Sequence, residues 1–266
     1  MKNPNRDAYT CFPTGKHYEG IANLLTKHVQ GLSPDFAPSA NWRDLPVALI
    51  DVETTGFDAS RDRVIELGIA IGRYGAIVAR YNWIVNPTIH IPAASTAVHG
   101  IRTVDVQRAP RFADVAPRIV AALSGTIPAA YNAQFDRAFV LNELARAGLA
   151  GPRADVEWID PLVWARAVHS EHKSRKLSDV AARLGLPLDA HRAADDAEVA
   201  MRALYLLAEQ SGPLRVPATY GGLIAEQRRL SRGQADVRKW WKPAASAQGS
   251  TDALNQSDDD PTTSRS

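Results

Sequence analysis

The sequence has few features that would set it apart from ordinary globular proteins. Among its 266 residues only Cys11 is a cysteine, so an internal disulfide is excluded and a reducing compartment fits. The longest stretch without Asp, Glu, Lys or Arg is 81–101, whose asparagines, histidine and prolines make it a poor membrane span. The first 25 residues lack the apolar run of a signal peptide. We therefore expect a cytoplasmic protein that does not enter a membrane.

Net charge is also nearly absent. The chain has 31 Lys and Arg against 29 Asp and Glu, which leaves a net charge of +2. With 45% hydrophobic and 23% charged residues, the composition excludes a wholly disordered chain. A charge so close to zero gives no global reason to expect a nucleic-acid partner, so evidence for one must come from local motifs.

Composition divides the chain into four segments. Residues 1–45 form an N-terminal arm of mixed composition, to which the sequence assigns no function. Residues 46–210 are densely patterned and predict one α/β domain. Residues 211–242 form a basic C-terminal extension. Residues 243–266 lack the apolar side chains needed for a core, so we expect a disordered tail.

The central segment alternates between strand-like and helix-like patterns. Strands are expected at Val47–Glu53, Val64–Ile71, Ala76–Val85, Ile127–Asn132 and Val156–Ile159. Helices are expected at 111–124, from about Gln134 to Ala147, from Pro161 onward, around Leu177–Leu184 and over about Ala193–Glu209. This order predicts an α/β fold, with a mixed five-stranded sheet and helices on both faces.

Two acidic residues stand near the end of the first predicted strand. Asp51 and Glu53 are two positions apart, so both side chains project to one face while Val52 points to the other. Adjacent carboxylates repel each other, and a divalent cation between them removes that cost. Oxygen ligands favour Mg²⁺ or Mn²⁺ over Zn²⁺. Taken alone, the pair also fits a solvated strand end.

The last predicted helix begins with a carboxylate on its buried side. Asp196 starts an apolar stripe that continues through Val199, Ala200, Ala203, Leu204 and Leu207, whereas Asp195 faces the other way. A buried carboxylate needs a partner or a metal, although the dipole at a helix start also stabilises an aspartate. His191 precedes Asp196 by five residues and could act as a general base beside a bound cation.

A third group lies where the fourth predicted strand gives way to a helix. Asn132 is of a residue type that could cap this helix, and Phe135 and Phe139 share its buried side. Asp136 stands near the helix start, where it could reach a metal. A helix cap followed by a surface acid is an equally good interpretation of these residues alone.

Together these three groups resemble the motifs of the DEDD exonuclease superfamily, in its histidine-bearing DEDDh branch. The similarity is greatest to the proofreading epsilon subunits of bacterial DNA polymerase III and their stand-alone relatives. The motif D-x-E-T-T-G is matched at Asp51–Gly56, N-x-x-F-D-x-x-F at Asn132–Phe139, and H-x-A-x-x-D-A at His191–Ala197. Val98–Ile101 also resembles the family's V-H-G-I segment. The resemblance spans about 47–208 and implies an RNase H-like fold.

The resemblance implies a role for each matching residue. Four carboxylates would hold two Mg²⁺ or Mn²⁺ ions, which clamp the attacking and leaving oxygens of a phosphoryl displacement: Asp51, Glu53, Asp136 and Asp196. His191 would activate the water that attacks the last phosphodiester at a 3′ end, releasing a 5′-mononucleotide.

A second group of residues matches positions that contact the terminal nucleotide in the family. These residues are Val52, Thr54, Thr55, His99, Asn132 and Phe135. Relatives often have an acidic residue near the terminal sugar, five positions before the V-H-G-I histidine, where this chain has Ala94. This departure bears on the affinity for the nucleotide end and on the choice of sugar.

The leading interpretation is therefore a metal-dependent 3′–5′ exonuclease acting on single-stranded DNA, with a DNA polymerase subunit as a further partner. An exoribonuclease fits the same motifs, because discrimination between the sugars depends on contacts at the 2′ position. A non-catalytic module that binds nucleic acid or protein is a third interpretation. This third interpretation leaves unexplained why every metal ligand implied by the resemblance is present.

The basic C-terminal extension allows three interpretations. Leu223–Lys242 has six basic residues against two acidic ones and includes Trp240-Trp241. Basic residues mixed with aromatics suit single-stranded nucleic acid. A solvated amphipathic helix whose tryptophans pack back on the domain fits as well, as does docking to a polymerase.

Overall fold

A single mixed sheet organises the fold. The computed structural model describes residues 30–151, 155–188, 192–210 and 216–240. Its strands have the order β3-β2-β1-β4, where β1 is Val47–Thr54, β2 Val64–Arg73, β3 Ala76–Ile84 and β4 Ile127–Ala130. β2 pairs antiparallel with both β1 and β3, whereas β4 runs parallel to β1. The predicted disordered tail lies outside the described residues, as does most of the N-terminal arm.

Eight α-helices and a short 3-10 helix, Trp42–Asp44, accompany this sheet in the described ranges. They are α1 Ala93–His99, α2 Thr103–Val106, α3 Phe112–Leu123, α4 Ala133–Arg146, α5 Pro161–Val168, α6 Leu177–Arg183, α7 Ala193–Glu209 and α8 Tyr220–Trp240. The helices predicted from periodicity, α3 to α7, are confirmed. The sequence did not predict α1, which buries only His99 and so has no apolar stripe, or α2, which at four residues is too short to show one. None of the described helices is long and apolar enough to cross a membrane.

The sheet separates two hydrophobic cores. Alternate residues of β1 enter different cores: Val47 and Leu49 pack with α5, α7 and the start of α8, whereas Ala48, Ile50 and Val52 pack with α3 and α4. Helices therefore cover both faces, and the mixed α/β prediction is confirmed. Because Asp51 and Glu53 continue the odd-numbered series, they project on the face that α7 covers.

The predicted fifth strand forms only one bridge in the described part of the chain. Ala129 of β4 pairs in parallel with Ile159, and the amide of Ile159 donates to the carbonyl of Pro128 at 3.0 Å. The chain then enters α5 at Pro161, so the segment is too short to extend the ladder. The sheet accordingly has four strands here rather than five.

The described part of the N-terminal arm packs against the domain. Trp42 is 1% exposed, stacks on Tyr205 of α7 at 5.7 Å and donates from its indole nitrogen to the carbonyl of Pro217. The amide of Ser33 donates to the hydroxyl of Tyr220, the first residue of α8. Residues before β1 and the start of α8 therefore hold each other in place. The proposed domain boundaries themselves stay predictions.

Candidate active site

Strand β1 extends beyond its parallel partner, and this brings the first two acids next to α4. β4 pairs with β1 only over Val47–Ile50, which leaves the later amides of β1 without a strand partner on that side. The amide of Val52 donates instead to Oδ1 of Asp136, at 3.1 Å. Asp136 is thereby fixed beside the strand that contains Asp51 and Glu53.

The helix that contains Asp136 is not capped in the predicted way. Asn132 adopts a left-handed conformation, with φ of 70°, and its side chain makes no capping hydrogen bond. The carboxylate of Asp160 accepts from the amides of Asn132 and Ala133 at 3.0 and 3.2 Å. It also accepts from the amide of Leu162 at 2.9 Å and so caps α5 as well. Asp160 thus joins the starts of α4 and α5, a structural role that the sequence analysis did not predict.

A close approach between α7 and the sheet brings in the last acid. Gly68 of β2 lies opposite Asp51, and a Cβ atom there would be 2.2 Å from the backbone of Ala193 and Ala194. Only glycine lets the first turn of α7 lie this close to the strand. Asp196, in that turn, is 9% exposed and offers a carboxylate oxygen within 4.8 Å of one from Asp51 and one from Glu53.

The neighbouring aspartate does not join this group. Asp195 points away and forms an ion pair with Arg80 of β3, which also pairs with Glu198 at 2.8 Å. Of the two adjacent aspartates, the structure thus brings Asp196 to the acids of β1, as the helical stripe predicted.

A fifth carboxylate, which the sequence reasoning also missed, lies beside these four. Glu66 of β2 is the register partner of Glu53 and is 1% exposed. Its charge is among the causes that raise the pKa of both Asp51 and Glu53. An acidic residue within the apolar run of β2 was the available signal, since buried carboxylates are rare without a partner.

The electrostatics of the group favour a cation. Burial raises the pKa of Glu53 to about 7, helped by the charges of Asp196 and Glu66. Burial likewise raises the pKa of Asp51 and of Asp136 well above the ordinary range, and the hydrogen bond from Val52 only partly opposes the shift at Asp136. Carboxylate oxygens alone form this set, which suits a hard divalent cation. The residues present therefore fit a divalent metal ion.

His99 lies in an open cavity of about 560 Å³ that also touches the start of α7. Its imidazole is buried, and its Nδ1 accepts the amide of Ile101 at 3.1 Å. The cavity walls include Ile84, Thr96, Val98, Asp105 and Arg192. The space is large enough for a nucleotide-sized group.

The remaining predicted contact residues surround the loop after β1. Thr54 and Thr55 are buried, and their hydroxyls bond to the carbonyl of Gly56 and the carboxylate of Asp62. Phe135 contacts Phe57, a loop residue with 90% of its surface exposed. Asn132 is exposed, whereas Val52 is buried and its amide donates to Asp136.

His191, the predicted general base, lies outside the described residues, as does Trp241.

Comparison with known proteins identifies the family. The model of the RNase_T exonuclease family matches residues 48–204. The chain is 32% identical over 186 residues to the 3′-5′ exonuclease DinG of Bacillus subtilis, covering 69% of this chain and 19% of that protein. It is 33% identical over 155 residues to the DNA polymerase III subunit epsilon of Treponema pallidum, covering 57% of this chain and 71% of that protein.

Many of these relatives are much longer proteins. The chain spans 11% of the PolC-type DNA polymerase III of Clostridium perfringens, to which it is 33% identical over 159 residues and 59% of its own length. It therefore corresponds to one part of such proteins.

Solved structures share the fold. Exonuclease X in complex with 5′ overhanging duplex DNA superposes with a TM-score of 0.52 at 22% identity, over 66% of this chain and 99% of that one. Escherichia coli exonuclease I in complex with a dT13 oligonucleotide gives a TM-score of 0.55 at 17% identity, over 61% and 41% of the two chains. With the match over 48–204, these findings establish that the chain belongs to the RNase_T exonuclease family.

Proposed function

We propose that this chain is a metal-dependent 3′–5′ exonuclease, which hydrolyses the terminal phosphodiester bond of single-stranded DNA and releases 5′-mononucleotides. One observation supports this above all. Asp51 and Glu53 of β1 and Asp196 of α7, which are far apart in the sequence, offer carboxylate oxygens within 4.8 Å of one another. Burial and the charges of the neighbouring acids, Asp136 of α4 among them, raise the pKa of Asp51, and burial raises that of Glu53. A bound cation would let these carboxylates stay ionised together at neutral pH.

In this proposal Asp51, Glu53, Asp136 and Asp196 hold two Mg²⁺ or Mn²⁺ ions. When bound, such ions polarise the scissile phosphate and stabilise the charge that develops on the attacking and leaving oxygens. The chain itself holds the ligands in place: Val52 orients Asp136 through its amide, and Gly68 admits the turn that contains Asp196. His191 would accept a proton from the attacking water.

The terminal nucleotide is expected to lie between the acids and the cavity beside His99. Phe57, Phe135 and Phe139 form a row of rings, with centroid distances of 6.4 and 4.8 Å. The exposed ring of Phe57 offers a stacking surface for a base. The similar structures with bound oligonucleotide or overhanging duplex DNA support a DNA substrate. Similarity to polymerase III epsilon subunits supports a polymerase partner, and a cytoplasmic location would fit that partner.

The test uses 5′-labelled DNA and RNA oligonucleotides of the same sequence, with Mn²⁺. Wild-type protein should shorten DNA from the 3′ end, and Asp51→Ala/Glu53→Ala should not. Asp196→Ala should also be inactive, while Asp195→Ala, which changes the adjacent surface residue, should retain activity. Faster RNA cleavage would replace DNA by RNA as the proposed substrate. No cleavage of either, with binding intact, would favour a non-catalytic module.

Two further measurements test the chemistry. Chelation with EDTA should abolish cleavage, and Mg²⁺ or Mn²⁺ should restore it. Activity that survives exhaustive chelation would contradict the metal-dependent mechanism. His191→Ala should lower turnover strongly and remove the fall in rate on the acid side of neutrality. A variant with wild-type turnover and pH profile would show that another group is the base.

A further inference from the structure

The environment of Glu66 differs from that of a structural carboxylate. It lies directly across from Glu53 on the same face of the sheet, where paired side chains have Cβ atoms roughly 5 Å apart. Its Oε1 accepts a hydrogen bond from the side-chain amide of Asn82 on β3, at 2.8 Å. Asn82 thereby fixes the direction of the Glu66 side chain from the side opposite Glu53.

The other oxygen of Glu66 is unpaired. Oε2 is fully buried and has no hydrogen-bond partner among the described residues. An unsatisfied carboxylate oxygen in the interior is costly, and the nearby charges of Asp51 and Glu53 increase that cost. A hydrated divalent cation next to Glu53 would supply both the positive charge and the water hydrogen atoms that Oε2 lacks.

A second buried glutamate shows how this fold treats a structural carboxylate. Glu143 of α4 is also 1% exposed. Arg63 donates to both of its oxygens, at 2.6 and 3.0 Å, and Arg146 approaches within 3.3 Å. The backbone amide of Val64 also donates to Oε1 of Glu143, at 3.3 Å. Arginine side chains therefore balance the charge of Glu143 within the protein. In the described part of the chain, the carboxylate of Glu66 has only the side-chain amide of Asn82 as a hydrogen-bond partner.

We propose that Glu66 is a fifth acidic residue of the cation site, a positioning residue that strengthens metal binding next to Glu53. The inference rests on the proposed metal-dependent function. Glu66 acts through its charge and through its Oε2, which would accept hydrogen bonds from the water molecules around the cation. Outer residues of this kind typically contribute about 10-fold to 100-fold in metal affinity.

The test is calorimetric titration of DNA-free protein with Mn²⁺. Glu66→Gln keeps the shape and the acceptor for Asn82 but removes the charge, so the Kd for Mn²⁺ should rise by about 10-fold. The melting temperature of the metal-free variant should be equal to that of the wild type or higher, because a buried unpaired charge has been removed. Glu66→Asp keeps the charge and should bind more tightly than Glu66→Gln.

Glu143→Gln is the matched control, since it removes an equally buried charge. It should lower the melting temperature and leave the Mn²⁺ affinity unchanged. An unchanged Kd for Mn²⁺ in Glu66→Gln would overturn the inference, whether or not the melting temperature is lowered. Asp51→Ala, titrated in parallel, separates the two proposals: if it has lost Mn²⁺ binding, the proposed function stands even where the role of Glu66 fails.

Discussion

Two groups of side chains in the described ranges bring potential metal ligands within 4.8 Å of one another. One is Asp51, Glu53 and Asp196, and the other is His169, Glu171 and His172 after α5. They differ in how their charges are balanced. The pKa of His169 is lowered, chiefly by burial and then by the charge of Arg183, so positive charge already lies beside the histidine group. The pKa of Glu53 is raised by burial and by other acids.

The two groups bring their ligand atoms within the same distance, so the balance of charge decides which of them suits a cation. In the histidine group, Glu171 and His172 already pair with each other at 3.0 Å, and Arg175 donates to the carbonyls of His169 and Ser170. A cation would meet repulsion there. In the acidic group, a cation removes repulsion between carboxylates. The acidic group is therefore the one that a bound cation would stabilise.

The largest effect is expected from a change that separates the acids without altering any of them. Gly68→Ala would place a Cβ atom 2.2 Å from the backbone of Ala193 and push the first turn of α7 away. Displacement of a catalytic group by about 1 Å can cost roughly 100-fold in rate, so cleavage should fall by about that factor. Gly233→Ala, in α8 where the space is open, is the control and should retain activity. Unchanged kcat in Gly68→Ala would contradict the close approach.

A smaller effect is expected from pH on the metal-free protein. The folded-state pKa of Glu53, about 7, exceeds its ordinary value of 4.5, so the folded state binds the proton more tightly than the unfolded chain. The free energy of unfolding should therefore fall between about pH 4.5 and pH 7, by on the order of 2 kcal/mol. Asp51 and Asp136 shift in the same direction. Urea denaturation in EDTA would measure the slope, and saturating Mn²⁺ should remove it. A metal-free stability that rises over this range would contradict the assignment.

The smallest effect is expected at the histidine group. Glu171→Ala and His172→Ala change exposed side chains, so stability should stay within about 0.5 kcal/mol of the wild type. The number of Mn²⁺ ions bound should not change. Equilibrium dialysis with Mn²⁺ and then with Zn²⁺ would check this. Loss of one Zn²⁺ equivalent in either variant would show that the histidine group binds a metal despite the nearby arginines.

The sequence predicted the faces on which the acids of the candidate site lie because each acid stands in a regular element, whereas their role as metal ligands stays a prediction. Strand alternation placed Asp51 and Glu53 on one face, and helical periodicity selected Asp196 over Asp195. Glu66 was missed because a single acid in an apolar strand has no periodic signature. Glu66 is seen to face Glu53 only in the folded structure, where β2 pairs with β1.

The capping of α4 was predicted wrongly for a similar reason. Asn132 is a good capping residue by type, but it takes a left-handed conformation and leaves its amide to Asp160, 28 positions away. The sequence Asp160-Pro161 does signal the start of α5, since proline is favoured in the first helical turn. Nothing local indicates that the same carboxylate also serves α4. The fifth strand was also predicted wrongly, because the sequence did not show that α5 begins too soon after Ile159 for the ladder to extend.

The double role of Asp160 has a consequence for local opening of the fold. The amides of Asn132, Ala133 and Leu162 all bond to one carboxylate, so the starts of α4 and α5 lose a restraint together when it is released. Hydrogen exchange should therefore report these amides as one cooperative unit, with closely similar protection. Asp136 lies in the same first turn of α4 and accepts the amide of Val52, so this opening takes place directly beside the acidic site.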